Sequence, residues 1–180
     1  MPSLRSTIAS ALLLFAIAGA TPARSDDAAT CRTWTGQEAL AACTRMITSN
    51  TLRGTDLAQA YVWRGITRGR NTDDWDAAIA DYNEAIGLGS KDAGAYAGRA
   101  AMNIRKGDID RALPDLNQAL AIDPKHTGAR GVFGYYYLKK GDYGRALAEV
   151  RSAGAPLPRP PTHPKCGRRS LADSGRWCRR

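Results

Sequence analysis

The sequence has few of the residues and motifs that carry catalysis. It contains two histidines, His126 and His163, and no serine or cysteine has a plausible general base beside it along the chain. Neither an HExxH motif nor a glycine-rich phosphate-binding loop is present. These absences argue against the enzyme classes that such motifs define, so we predict that the protein is not an enzyme and uses no cofactor.

Metal-ligand spacing is also missing. The four cysteines form two pairs, each pair twelve positions apart, and no CxxC or histidine spacing typical of zinc accompanies them. An even number of cysteines in an oxidising compartment instead indicates disulfides. Three connectivities are possible, but the pairs stand at opposite ends of the chain, which favours two local bridges. The candidates are Cys31 with Cys43 and Cys166 with Cys178.

Long apolar runs are absent except at the N-terminus, where "MPSLR" precedes "ALLLFAIAGA". This run is too short to span a bilayer comfortably and leads into small residues, as in a secretory signal. We predict a cleaved signal peptide over residues 1–25, with Ala20 and Ala23 as alternative cleavage points and an uncleaved anchor as the rival interpretation. The expected location is the periplasm or the exterior of the cell.

Excess charge is missing from most of the chain, although the net charge is +9. Residues 1–24 carry +2, residues 25–150 are neutral overall, and residues 151–180 carry +7. The positive charge therefore belongs to the C-terminal end, and we expect no nucleic-acid partner. An anionic envelope polymer, a lipid surface or an acidic protein is the expected kind of partner for such a segment.

What the sequence does contain is a repeat. "GDIDRAL" at residues 107–113 returns as "GDYGRAL" at residues 141–147, and further positions recur at the same spacing of 34. A period of this length is typical of stacked helical repeats, because a single hairpin cannot bury its apolar face alone. The recurring columns are Ala78, Ala112 and Ala146; Tyr82, Leu116 and Val150; Ala85, Ala119 and Ala153; and Trp75, Ile109 and Tyr143.

Each copy contains two helical segments around a polar turn. In the middle copy we expect Gly107 to close the first helix with a positive φ, Asp108 to cap the second helix, and Pro124 to end it. Pro114 lies inside that second helix and predicts a bend or a gap, at a position that should face solvent. The predicted fold class is all-α, a solenoid of antiparallel helix pairs.

These features resemble the tetratricopeptide repeat family. The family's small residue is matched by Gly65, Ala100 and Gly134, and its closing proline by Pro124 and Pro158. The resemblance implies a right-handed superhelix with repeats at 58–92, 93–126 and 127–158, preceded by a half repeat and linker over 26–57. Residues 159–180 then form a proline-rich basic tail, called the basic tail below. We expect its cysteine loop, with Leu171 and Trp177, to cover the last repeat; a free arm is the alternative.

The resemblance also implies a concave groove, lined by the first helix of each repeat, that binds a peptide. Small residues and a basic rim along this wall favour an acidic or C-terminal peptide. Alternatively, the same residues are merely solvated or contact the protein's own tail. The aromatic residues Trp63, Tyr136 and Tyr137 are expected to pack in the core. The candidate groove residues are Val62, Ile66, Arg70, Ala97, Ala101, Arg105, Tyr135 and Lys139.

Overall fold

The computed structural model describes residues 26–72 and 74–154, and all regular secondary structure in those residues is helical. The chain divides into two compact units, Met1–Lys91 and Asp92–Arg180. The first unit contains α1 (Asp27–Cys31), α2 (Gly36–Thr48), α3 (Gly54–Asn71) and α4 (Trp75–Gly87). The second contains α5 (Ala93–Lys106), α6 (Ile109–Ile122), α7 (Thr127–Lys140) and α8 (Tyr143–Ser152).

Glycine turns separate the two helices of each pair in the second unit. Gly107 ends α5 with φ +93° and Gly141 ends α7 with φ +78°, a left-handed backbone that glycine adopts without steric cost. At the start of α8 the Asp142 carboxylate accepts a hydrogen bond from the Arg145 N–H, as expected of a cap. The cap predicted at Asp108 is wrong in this detail, because its side chain makes no capping hydrogen bond to α6.

The small residues of the repeat stand where two helices approach most closely. A Cβ atom on Gly65 would lie 3.0 Å from the Tyr82 ring of α4. In the second unit, a Cβ on Gly134 would lie 3.3 Å from the carbonyl oxygen of Ala146 in α8. Larger side chains at these positions would push the paired helices apart, which explains why the column contains only glycine and alanine.

The predicted N-terminal half repeat contains a helix that the sequence did not reveal. The half repeat predicted over residues 26–57 contains α2, but the five-residue α1 precedes α2 and packs against it. Arg45 of α2 binds the buried Asp27 carboxylate of α1 through Nε and Nη2. The sulfur atoms of Cys31 and Cys43 also lie 2.04 Å apart, at bonding distance. A single turn of helix has no readable periodicity, and these side-chain contacts with α2 hold it in place.

Aromatic residues of α7 fill the core of the second unit. Phe133 and Tyr136 are buried together with Leu116 of α6, and Tyr137 packs against them. The Phe133 and Tyr137 rings meet edge-on with centroids 5.0 Å apart, a favourable geometry for aromatic pairs. The expected packing role of Tyr136 and Tyr137 is therefore confirmed, and Trp63 packs at the edge of the α1–α2 cluster.

Helix ends differ slightly from the predicted repeat boundaries. The first predicted repeat begins at residue 58, whereas α3 begins at Gly54. α6 ends at Ile122, ahead of Pro124, and it continues without interruption through the exposed Pro114. The predicted signal peptide, Pro158, the basic tail and the pair Cys166 and Cys178 lie outside the described residues.

Candidate functional site: a groove between the first helices of the second unit

An open groove of about 370 Å³ runs between α5 and α7, which pack side by side as the two first helices of their repeats. One alanine and two glycines are among its lining residues, together with Tyr135, which is 39% exposed. The alanine and the glycines leave room for the main chain and small side chains of a ligand. The groove is lined by Ala101, Arg105, Gly128, Gly131, Val132 and Tyr135.

The two helices that line the groove carry basic side chains and no acidic ones. Neither α5 nor α7 contains an aspartate or glutamate, while the last turn of each helix carries two cations. Those cations are Arg105 and Lys106 on α5 and Lys139 and Lys140 on α7. The two helices therefore form a positive wall, to which an anionic ligand would be attracted.

Acids on the second helices bind some of the cations of the first helices. Asp110 of α6 hydrogen-bonds Lys140 and raises the pKa of that ammonium group. Asp115 does the same for Arg99, where the side-chain hydrogen bond is the main cause of the raised pKa. Lys139 instead places its ammonium 5.4 Å from the centroid of the Tyr135 ring. A cation and an aromatic face thus meet at the groove wall.

The structure brings some of the predicted groove residues together. Ala101, Arg105 and Tyr135 line the groove, and Lys139 stands beside Tyr135. Ala97, at 4% exposure, is part of the α5–α6–α7 packing and offers a ligand almost no surface. Val132 lines the groove but was not a predicted site residue; it lies one helical turn before Tyr135, and that spacing is the signal that could have found it.

The remaining predicted groove residues belong to α3 in the first unit. Val62 is 1% exposed, so its side chain serves packing and cannot contact a ligand in this structure. Ile66 is half-buried and Arg70 is exposed. The Arg70 guanidinium lies 5.7 Å from the centroid of the Trp34 ring, over the loop between α1 and α2.

Sequence reasoning also missed an ion pair that recurs in the α3–α4, α5–α6 and α7–α8 hairpins. An acid stands in one column of the repeat, at Asp81, Asp115 and Glu149, each 34 positions from the next. Each accepts hydrogen bonds from an arginine of the preceding helix, and the three pairs are Arg64 with Asp81, Arg99 with Asp115 and Arg130 with Glu149. The column of acids is visible in the sequence. The three arginines do not keep the spacing of 34 positions that the acids keep, and this obscured the pairing.

Neither a cluster of metal ligands nor a membrane-spanning helix occurs in the part of the chain that the structure describes. Its histidines, cysteines and acids form no group of three that could hold a metal ion. None of its helices combines the length and the apolar character needed to cross a bilayer.

A family model described as tetratricopeptide repeat matches residues 103–161. The crystal structure of MamA resembles the chain with a TM-score of 0.52 and 24% sequence identity, over 64% of this chain. The match spans 65% of the MamA chain, slightly under two thirds of its length. The sequence has no significant match among curated proteins. These findings confirm the predicted fold class, an all-α array of helical repeats.

Proposed function

We propose that this chain, whose residues 103–161 match the tetratricopeptide repeat family model, is a non-catalytic interaction scaffold that binds an acidic peptide segment in the groove between α5 and α7. Repeats of this kind generally serve as protein-binding modules rather than enzymes, because stacked helices create extended surfaces. The choice of this groove and of an acidic ligand is specific to this chain.

One observation carries the proposal: α5 and α7 contain no acidic residue, yet together they bound an open groove with Tyr135 on its wall. A carboxylate near the C-terminal ends of these helices would meet Arg105 and Lys139. The small residues Ala101, Gly128 and Gly131 leave room for the main chain of the ligand. Tyr135 would cover apolar atoms of the ligand while its hydroxyl remains available for a hydrogen bond.

Affinity capture from a periplasmic extract, with identification of the bound proteins, tests this function. We expect a partner that the unmodified protein retains and that Tyr135→Ala and Arg105→Glu each release. Arg111→Glu is the matched control, because Arg111 has the same charge but lies exposed on α6, away from the groove. Retention of the partner by both groove variants, or its equal loss from the control, would contradict the proposal.

An exported location belongs to the same proposal. The apolar N-terminal run predicts a secretory signal, and the even number of cysteines is typical of disulfides formed in an oxidising compartment. We propose that Cys31 and Cys43 are joined in the exported protein. Mass spectrometry of protein recovered from the periplasm, alkylated without reduction, should find neither cysteine alkylated.

The alternative function is attachment to an anionic surface of the cell envelope through the basic tail. The observation that favours it is the net charge of +7 confined to residues 151–180. Co-sedimentation with vesicles of phosphatidylglycerol and phosphatidylcholine tests it. Binding through the basic tail should fall steeply between low and high salt and should be insensitive to Tyr135→Ala.

A further inference from the structure

The second unit ends in an apolar surface that lacks a cover among the described residues. Leu138 of α7 and Tyr143 and Leu147 of α8 are 48%, 70% and 42% exposed. We name these three side chains the terminal patch. Five large hydrophobic residues are exposed in the described part of the chain, and three of them are in this patch, so the exposure is concentrated at one place.

The corresponding residues of the preceding repeat show the role of these three positions in the repeat. The residues 34 positions earlier are Ile104, Ile109 and Leu113, and all three belong to the core cluster or pack against it. The next first helix, α7, contributes Phe133 and Tyr136 to that cluster. The terminal patch is therefore the same inter-repeat surface, in a position where no described residue provides the corresponding aromatic cover.

We propose that residues 155–180 of the same chain cover the terminal patch, with Leu171 and Trp177 in the place that Phe133 and Tyr136 take one repeat earlier. This inference is independent of the peptide groove. Its first support is the backbone at the end of α8. Gly154 has φ +66°, the same left-handed conformation with which Gly107 and Gly141 end α5 and α7 before the chain reverses into the next helix.

The length of the following chain is sufficient. α8 has ten residues, so Tyr143 lies about 15 Å from the end of the helix. Residues 156–164 include five prolines, and a proline-rich extended segment advances about 3.1 Å per residue. This stretch alone could run back along α8 past Tyr143, which leaves the segment with Leu171 and Trp177 available to contact the patch.

Residues 155–180 of the same chain are a better occupant of the terminal patch than a second copy of the protein. A covalently attached segment is present at an effective concentration in the millimolar range, so weak apolar contacts suffice to hold it. Two copies meeting through their terminal patches would instead bring together two segments that each carry +7 over residues 151–180. That repulsion opposes a dimer but does not oppose docking within one chain.

Photo-crosslinking in the full exported chain tests the assignment directly. Tyr143→p-benzoylphenylalanine places a reactive ketone in the terminal patch, and Asn117→p-benzoylphenylalanine places it on the exposed side of α6 as a control. After irradiation and digestion, we expect Tyr143→p-benzoylphenylalanine to yield an intramolecular cross-link into residues 155–180, and the control to yield none. Leu171→Ser combined with Trp177→Ser should abolish that cross-link while the control remains unchanged.

Three results would overturn the proposal. A cross-linked dimer from Tyr143→p-benzoylphenylalanine would assign the patch to a second copy. Equal cross-linking from both positions would mean that residues 155–180 reach the surface without docking. Absence of any cross-link between position 143 and residues 155–180 would leave the patch to an external partner.

Discussion

Arg64 of α3 and Asp81 of α4 form a two-point ion pair within the first unit: Nη2 lies 2.7 Å from Oδ1, and Nε lies 3.0 Å from Oδ2. Arg68 donates to the same carboxylate from 2.8 Å. Asp81 is almost fully buried, and two guanidinium groups neutralise it. A carboxylate in this position joins the two helices of the pair at a fixed register.

Asp81→Asn should destabilise the first unit by about 2–4 kcal/mol, because it leaves two half-buried guanidinium groups without an anionic partner. Chemical denaturation with urea, followed by circular dichroism, measures the change. Asp110→Asn is the control, since it removes the same charge from an exposed pair with Lys140 and should cost less than about 1 kcal/mol. Equal effects from the two substitutions would show that burial adds nothing to the Asp81 interaction.

A second prediction compares one substitution at two glycines. Gly131→Ala should stabilise the protein by about 0.5–1 kcal/mol, because a Cβ atom there meets nothing within 4 Å and alanine favours a helix. Gly65→Ala should be less stable than Gly131→Ala by about 1–3 kcal/mol, since its Cβ meets the Tyr82 ring at 3.0 Å. The same denaturation assay measures both. If the two variants gain equally, the close approach of α3 and α4 at Gly65 has no steric cost.

Pro114 gives a third prediction. Its ring removes a backbone donor that would bind the carbonyl oxygen of Asp110, and it lies exposed in an otherwise continuous α6. Pro114→Ala should therefore raise the free energy of unfolding by about 2 kcal/mol, after allowance for the lost restriction of the unfolded chain. A thermal unfolding temperature equal to that of the unmodified protein would indicate that α6 accommodates the proline without strain.

The helices could be predicted from the sequence because their signals repeat. The column of Ala78, Ala112 and Ala146 and the glycine turns each recur at a fixed spacing, and one structural requirement explains all copies. The short helix α1 could not be predicted this way, because its position depends on Arg45 and on the contact between Cys31 and Cys43, which are visible only in three dimensions.

The candidate site was predictable only in part, for a similar reason. Helical periodicity places Val62 and Tyr135 on corresponding faces of their helices, but it cannot tell which face another helix covers. Tyr135 remains exposed and lines the groove, whereas Val62 is buried. The exposure of a side chain depends on how neighbouring helices pack against it. The helical periodicity of the sequence does not determine that packing.

The last prediction concerns α1, which is too short to be stable as a helix on its own. If Cys31 and Cys43 are joined in the exported protein, Cys31→Ser combined with Cys43→Ser should lower the free energy of unfolding by about 3 kcal/mol, because a cross-link restricts the unfolded chain. Amide hydrogen exchange should rise first in α1, since the Asp27–Arg45 pair and the adjacent packing must then hold it against α2 without the cross-link. A reducing agent should reproduce both effects in the unmodified protein and should cause no further loss in α1 and α2 of the double variant. Unchanged exchange in α1 after reduction would mean that the ion pair and the packing suffice without the cross-link.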